Sequence, residues 1–173
     1  KTKTITEKME SRGGGITDIK LIDKSSDLSG YFQLFATFKT VDAMGANFIN
    51  SCLEEFAYVF KKSIKLFDSN KLKDEDIEIV MSILSNYVPN CIVKTEVSCS
   101  VEKLNSLEPN TPDFANKIIQ AIHIANSDVH RAVTHNKGIM NGIDATVIAT
   151  GNDFRAIEAG AHAYASRNGR YQS

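Results

Sequence analysis

The sequence lacks the features that mark several large classes of protein. No apolar run approaches the ~20 residues that a membrane-spanning helix needs, and no secretory signal precedes the first folded segment. The formal net charge is −1 without a clustered basic face, so we expect neither nucleic acid nor a membrane as partner. The three cysteines are an odd number with no CxxC pair, which predicts reduced side chains and a cytoplasmic protein. We expect Cys52 and Cys99 to be small core residues.

The signatures of several catalytic sites are missing as well. No group of His, Cys, Asp and Glu has the spacing of metal ligands, so we expect no metal site. There is no nucleophile elbow, no phosphate-binding P-loop and no GxGxxG fingerprint, so a Rossmann fold is not supported. What remains is an ordinary globular composition, with 42% hydrophobic and 24% charged residues among 173, enough for one domain or two small ones.

The first part of the chain predicts an α+β unit. Strand patterns cover residues 16–22 and 31–41, and Asp42 is a good N-cap for the amphipathic helix that follows. A second helix is predicted over residues 74–84, and the strict alternation of residues 92–102 predicts a strand with one solvated face. This order indicates a small antiparallel sheet with helices on one face.

The last third of the chain predicts helices only. Thr111–Pro112 has the form of a helix start, and helical patterns cover residues 114–126, 138–150 and 155–166. We therefore expect three segments: the end of a helix or linker over residues 1–12, a small domain over 13–104 and a helical segment over 105–173. The chain starts at Lys1 without a methionine and stops shortly after the turn-like Gly169–Arg170, so we expect an internal piece of a longer protein.

The junction between the second strand and its helix is the first candidate site. Small residues in Asp42-Ala-Met-Gly-Ala-Asn47 leave the helix N-terminus bare, where backbone N–H groups and the helix dipole favour an anion. The alternative is a helix start whose small residues only allow close packing against the sheet.

Lys137 and Asp153 are the second candidate site. They stand 16 residues apart around an apolar helix pattern, with Gly151 placed to end the helix just before the acid. We expect a lysine in a partly apolar site, oriented by the carboxylate, that can stabilise an oxyanion and donate a proton. A structural ion pair and a Schiff-base lysine remain alternatives.

A polar run, Arg131-Ala-Val-Thr-His-Asn136, leads into Lys137. The guanidinium group of Arg131 can bind a carboxylate through two parallel hydrogen bonds. His135 is a candidate acid or base, although a lone histidine is more often a hydrogen-bonded structural residue.

Four motifs together resemble 3-hydroxy-3-methylglutaryl-CoA (HMG-CoA) reductase of the bacterial, class II type. They are Asp42-Ala-Met-Gly-Ala-Asn47, His135-Asn-Lys-Gly-Ile-Met-Asn-Gly142, Ala149-Thr-Gly-Asn-Asp153 and Glu158-Ala-Gly-Ala-His-Ala-Tyr164. The resemblance implies reduction of HMG-CoA to mevalonate and coenzyme A with two NADPH or NADH, in the mevalonate pathway of isoprenoid biosynthesis. It also implies a ferredoxin-like cofactor domain inserted in a larger helical substrate domain, and a homodimer or an oligomer of dimers.

The resemblance also assigns roles to individual residues. Lys137 matches the lysine that stabilises and protonates the thiohemiacetal oxyanion, and Asp153 matches the aspartate that tunes it. The remaining matches are binding positions: Arg131 and Asn141 for the HMG portion of the substrate, and Asp42, Met44, Gly45, Asn47 and Asn86 for the cofactor.

The chain departs from the family pattern in ways that bear on function. It contains neither the family's glutamate motif nor its C-terminal histidine motif, so we expect the chain alone to be inactive. Thr6, with Glu7 beside it, stands where relatives that prefer NADH carry an acid, which leaves NADPH at least as favoured as NADH. The alternative function is a non-catalytic ferredoxin-like module that binds a ligand or partner, with Lys137 and Asp153 as a structural pair.

Overall fold

The computed structural model describes residues 2–64, 66 and 77–173, and its architecture is α+β, which confirms the predicted fold class. Chain contacts divide it into two compact units, residues 1–84 and 85–173. The predicted division near residues 12 and 104 stays a prediction. The elements in chain order are α1 (Lys3–Glu10), β1 (Gly15–Asp23), β2 (Phe32–Lys39), α2 (Ala46–Ile64), α3 (Val101–Asn105), α4 (Phe114–Ser127), α5 (Val129–Ala149) and α6 (Phe154–Ala165).

The first unit is built on an antiparallel hairpin of β1 and β2. Its register pairs Leu21 with Leu34 and Ile19 with Ala36, and it shifts between Ile16 and Asp18. Ile16 and Ile19 are an odd number of residues apart, so a regular strand would send them to opposite faces. The bulge adds one residue to β1 and so reverses the side on which the following side chains lie. Ile16 and Ile19 therefore lie on the same face of the hairpin, opposite Phe38 and Ala36.

Helix α2 packs against the hairpin through aromatic rings. The Phe38 ring of β2 meets Phe48 edge-on at 5.8 Å between centroids and stacks on Phe56 at 6.5 Å. Phe48 and Phe56 lie eight residues apart on one side of the helix; Phe56 belongs to the apolar stripe that the sequence predicts, and Phe48 lies outside that predicted set. Cys52 lies between them and is fully buried, as expected.

Helix α1 closes the first unit through Met9 and a glycine turn. Met9 is 4% exposed, and a Cβ on Gly14 would meet its side chain and the Lys39 carbonyl. Gly13, at φ +83°, follows the last turn of the helix. The glycine triplet therefore ends α1 and lets the chain approach β2 closely, as only a residue without a side chain can.

Two predicted elements are absent from the residues described. Residues 77–84, the described part of the predicted helix 74–84, are irregular, and Leu84 N donates to Asn50 Oδ1 of α2 at 3.0 Å; residues 74–76 lie outside the described residues. The predicted strand 92–102 is also irregular up to Ser100, with Val93 92% and Val97 97% exposed. An alternating sequence forms a strand only where a neighbour supplies the hydrogen-bond ladder, and no described segment pairs with this one. Cys99 is accordingly exposed, and its prediction as a core residue is wrong.

The second unit consists of helices α3 to α6. α4 starts at Phe114, two residues after Pro112, with Asp113 in the left-handed region at φ +57°. The buried side chains of α4 and α5 are small, apart from one methionine: Ala115, Ala125, Ala132 and Met140. None of the helices described is long and apolar enough to cross a membrane.

Truncation of Met9 tests the packing of the first unit. We expect Met9→Ala to lower the free energy of unfolding by about 2 kcal/mol, because a buried side chain is replaced by a cavity. Met81→Ala is the matched control, since Met81 is 72% exposed and its loss should change stability by less than about 0.5 kcal/mol. Urea unfolding followed by circular dichroism measures both, and equal effects would contradict the assigned packing.

Candidate functional site

The junction before α2 is shaped by Gly45 rather than by Asp42. Gly45 has φ +74°, and a Cβ there would collide with the Thr40 side chain. The helix starts at Ala46, so the prediction that Asp42 is its N-cap is wrong. Asp42 lies four residues earlier on an exposed turn, with its carboxylate 3.7 Å from the Arg12 guanidinium. The tight turn at Gly45 moves the start of the helix beyond the reach of the Asp42 side chain.

The N-terminus of α2 is open in the way that the sequence predicts. Its first backbone bond runs from Ile49 N to Gly45 O at 2.9 Å, so the N–H groups of residues 46–48 precede the helical ladder. The first turn has no acidic side chain, and both Met44 and Asn47 are exposed beside it. Because the N–H groups of residues 46–48 precede the ladder and no acid stands in the first turn, an anion could approach these backbone donors. Val41, before the junction, has φ +58°, a strained conformation for a β-branched residue.

Helix α5 carries the polar candidates of the second unit. Asp128 caps it by accepting from His130 N at 2.9 Å, and the helix then runs unbroken through Arg131, Lys137 and Asn141. Lys137 and Asn141 are one turn apart and share a face, while Arg131 projects from a different side. All three side chains are exposed. The prediction that Lys137 stands at the end of a buried helix is wrong, because its side chain is exposed among the residues described.

Asp153 has a capping role that the sequence did not reveal. The helix before it ends in a Schellman motif, with Gly151 at φ +69° and Asn152 N donating to Val147 O at 2.9 Å, as the glycine predicts. Asp153 then caps α6 by accepting from the N–H groups of Arg155 and Ala156. The Arg155 side chain, donating at 3.3 Å, is the main cause that lowers the pKa of Asp153, and the two backbone donors act in the same direction.

Lys137 and Asp153 do not meet within one copy of the chain. Ala149, the last residue of α5, follows Lys137 by twelve positions, which is about 18 Å along the helix axis. Among the described residues the ion-pair partner of Asp153 is Arg155, not Lys137. The prediction of a lysine–aspartate pair is therefore wrong for a single copy, because an unbroken helix keeps the two side chains apart.

The other candidates are described by the unit to which each belongs. Asn86 belongs to the second unit, where its carbonyl would lie 3.1 Å from a Cβ on Gly160, whereas Asp42, Met44, Gly45 and Asn47 belong to the first. His135 Nδ1 is 2.6 Å from Ser173 Oγ, a contact that agrees with a structural histidine. Thr6 is buried, with its hydroxyl directed to the Lys3 carbonyl, and Glu7 beside it is exposed.

The second unit contains a cavity that the sequence did not predict. It has a volume of about 290 Å³ and lies along α5 and α6, with apolar walls from Ile139, Met140 and Ile143. Arg167, one of its polar residues, lies 3.7 Å over the Tyr164 ring. The pattern could not predict this cavity, because the last residues of the chain fold back on the helices through a bond from Asn136 Nδ2 to Gln172 O (2.9 Å).

The fold and these sites define an α+β protein with a helix start that carries no acidic side chain in one unit and a lysine-bearing helix in the other. The chain belongs to the hydroxymethylglutaryl-coenzyme A reductase family, whose family model matches residues 1–172. It is 36% identical over 159 residues to the 3-hydroxy-3-methylglutaryl-coenzyme A reductase of Archaeoglobus fulgidus. It is 34% identical over 164 residues to the "Probable 3-hydroxy-3-methylglutaryl-coenzyme A reductase" of Borreliella burgdorferi.

Solved structures support the same family. The class II reductase of Streptococcus pneumoniae bound to NADPH matches 99% of this chain with a TM-score of 0.73 and 36% identity. The match covers 43% of that chain, and the two sequence relatives are covered over 35% and 32% of their lengths. This chain thus spans about a third of the length of the curated relatives it matches.

The ion pair of Asp153 predicts a specific pH response. The lowered pKa means that the contribution of the carboxylate to stability is present above its ordinary pKa and is lost as pH falls through the lowered value. We expect Arg155→Gln to raise the pKa of Asp153, measured by carbon-13 NMR titration of its carboxyl. Arg167→Gln is the control and should leave that titration unchanged. An unchanged midpoint in Arg155→Gln would show that the pair does not form in solution.

Proposed function

We propose that this chain is part of an HMG-CoA reductase that reduces HMG-CoA to mevalonate and coenzyme A with two NADPH or NADH. The observation that carries the proposal is the family match over residues 1–172, which includes every candidate residue. The placement of Lys137 and Asn141 on one face of α5 supports it, since one substrate could reach both side chains.

We propose that the cofactor binds at the N-terminus of α2. The residues present fit an anionic group, because the first N–H groups of the helix precede its ladder and no acid stands in its first turn. Asp42, Met44, Gly45 and Asn47 would hold it there, and Asn86 is the further candidate. The NADPH-bound Streptococcus pneumoniae relative supports a nicotinamide cofactor, which supplies hydride when bound.

The proposed mechanism assigns the proton to Lys137. As hydride adds to the thioester carbon, negative charge grows on the carbonyl oxygen, and the Lys137 ammonium stabilises it and donates a proton to give the thiohemiacetal. The thiohemiacetal would then lose its O–H proton as the aldehyde C=O forms, while the C–S bond breaks and the sulfur takes up a proton to leave as the thiol of coenzyme A; in the family the C-terminal histidine motif, absent from this sequence, would donate that proton. The bound cofactor would supply the second hydride, and Lys137 would donate a proton to the alcohol oxygen of mevalonate. Arg131 would bind the carboxylate of the HMG portion, and Asn141 would hydrogen-bond to that portion beside the lysine.

We further propose that the protein works as a homodimer or an oligomer of dimers. Within one copy Asp153 pairs with Arg155 and not with Lys137, so an ion pair between Lys137 and Asp153 would join residues of two copies. The cytoplasmic location expected from the cysteines also stays a prediction.

One observation favours the alternative of a non-catalytic binding module. Lys137 is exposed and does not meet Asp153 within one copy, as the module hypothesis allows. Titration of a polypeptide of full family length with NADPH discriminates the two, because only the reductase oxidises the cofactor when HMG-CoA is added.

Substitution of Lys137 tests the proposed chemistry. In a polypeptide of full family length that contains these residues, we expect Lys137→Ala to lower kcat by at least about 100-fold, because one donor to the oxyanion is lost. HMG-CoA affinity, measured by calorimetry, should stay close to wild type. Lys117→Ala, which removes an exposed lysine of α4, is the control and should keep normal turnover. A near-normal kcat in Lys137→Ala would overturn the assigned role.

The 173-residue chain by itself provides a second test. We expect no HMG-CoA-dependent loss of NADPH absorbance, because the family's glutamate and histidine motifs are absent from this sequence. The full-length polypeptide under the same conditions is the positive control. Turnover by the 173-residue chain would show that these residues are sufficient for the reaction.

A further inference from the structure

The cavity along α5 and α6 has two chemically different parts. Its volume of about 290 Å³ is roughly twice that of an apolar protein cavity that holds benzene. Met140 in its wall is buried and Ile143 is half-buried, so the inner part is apolar. His162 and Arg167 line the same cavity but are exposed, so they stand at its mouth. A ligand that matches both parts has an apolar body and a polar head group.

The charge at the mouth favours an anionic head group. The Arg167 guanidinium is permanently positive and carries five N–H donors. It is held in place over the Tyr164 ring, with Nη1 donating to the Tyr164 carbonyl at 2.7 Å, which uses only part of its donor set. None of the described residues that line the cavity is an aspartate or a glutamate. An arginine held in this way can bind a carboxylate through charge-assisted hydrogen bonds.

The last residues of the chain build one wall of the cavity. Gln172 N donates to the Ala165 carbonyl at 3.0 Å, and the Gln172 carbonyl accepts from Asn136 Nδ2 at 2.9 Å. The Tyr171 hydroxyl lies 2.8 Å from Nδ1 of His162. These bonds fix two lining side chains, Asn136 on α5 and His162 on α6, so the cavity is formed before any ligand arrives, as small-molecule sites usually are.

We propose that this cavity binds a small carboxylic acid whose apolar body is about the size of a benzene ring. The body would lie against Met140 and Ile143, and the carboxylate would accept hydrogen bonds from Arg167 at the mouth.

The proposed site is separate from the residues assigned to the reductase chemistry. Asn136 and Met140 line the cavity, whereas Lys137 and Asn141 each come one residue later on α5. One residue turns a helix by about 100°, so Lys137 and Asn141 project from a different face. The proposal therefore does not depend on the proposed reductase activity, and either can fail without the other.

A titration with matched probes tests the ligand class. Fluorine NMR of 4-fluorophenylacetate with the 173-residue chain should show saturable binding with a Kd on the order of 1 mM, which is ordinary for so small a ligand. The neutral amide 4-fluorophenylacetamide has the same shape and should bind at least about fivefold more weakly, because it lacks the charge. Fluoroacetate has the charge without the ring and should not saturate. Absence of saturation by 4-fluorophenylacetate, or equal binding of acid and amide, would overturn the proposal.

Substitutions test the role of Arg167. Arg167→Gln should raise the Kd of 4-fluorophenylacetate at least about fivefold, because a charged donor is lost. The side chain is exposed, so this change leaves the packing intact. Arg155→Gln is the matched control, an exposed arginine of α6 outside the cavity lining, and should keep the wild-type Kd. Lys137→Ala should also keep it. A wild-type Kd in Arg167→Gln, or binding lost in Lys137→Ala, would contradict the site.

A direct contact measurement locates the probe. With carbon-13 in the methionine methyl groups, the ring protons of the bound probe should give a nuclear Overhauser effect to Met140, whose signal is the one missing in Met140→Leu. Met81 lies outside the lining and is the internal control, which should show no effect. A saturated probe without a contact to Met140 would place it elsewhere and overturn the proposal.

Discussion

The unbroken course of α5 is the constraint on which the second unit depends. Asp128 fixes its start and the Schellman turn at Gly151 fixes its end, so the chain between them has one possible spacing. That spacing places Lys137 and Asn141 on a common face and puts Lys137 about 18 Å along the axis from Ala149, the last residue of the helix. The hypotheses about chemistry in this unit follow from the rigidity of this one helix.

The first unit shows a similar dependence on one backbone feature. The left-handed turn at Gly45 delays the start of α2 by several residues, which releases Asp42 from a capping role and leaves the first N–H groups of the helix ahead of its hydrogen-bond ladder. A helix N-terminus capped by its own side chain is less available to an anion, because the cap occupies the same donors. The delayed start therefore makes the junction more suitable for a cofactor than an aspartate cap would have done.

Features held by residues close together in sequence were predictable, whereas features that need a partner distant in sequence were not. The hairpin, the apolar stripe of α2 and the helix stop at Gly151 are encoded by neighbours within a few residues, and all were predictable. The alternation of residues 92–102 is just as regular, yet the described part of this segment is irregular up to Ser100. Strand formation needs a partner that is distant in sequence, and a local pattern carries no information on whether one is available. The motifs that identify the family were visible in the sequence, whereas the distance between their side chains was not.

The sequence by itself determined the α+β class, the family and the residue types that the proposed chemistry uses, because these depend on local periodicity and on motifs read along the chain. Only the tertiary structure decided that Lys137 is exposed and that Asp153 caps α6 beside Arg155. Burial and side-chain pairing depend on which helix packs against which, and packing is a property of three-dimensional neighbours rather than of sequence spacing.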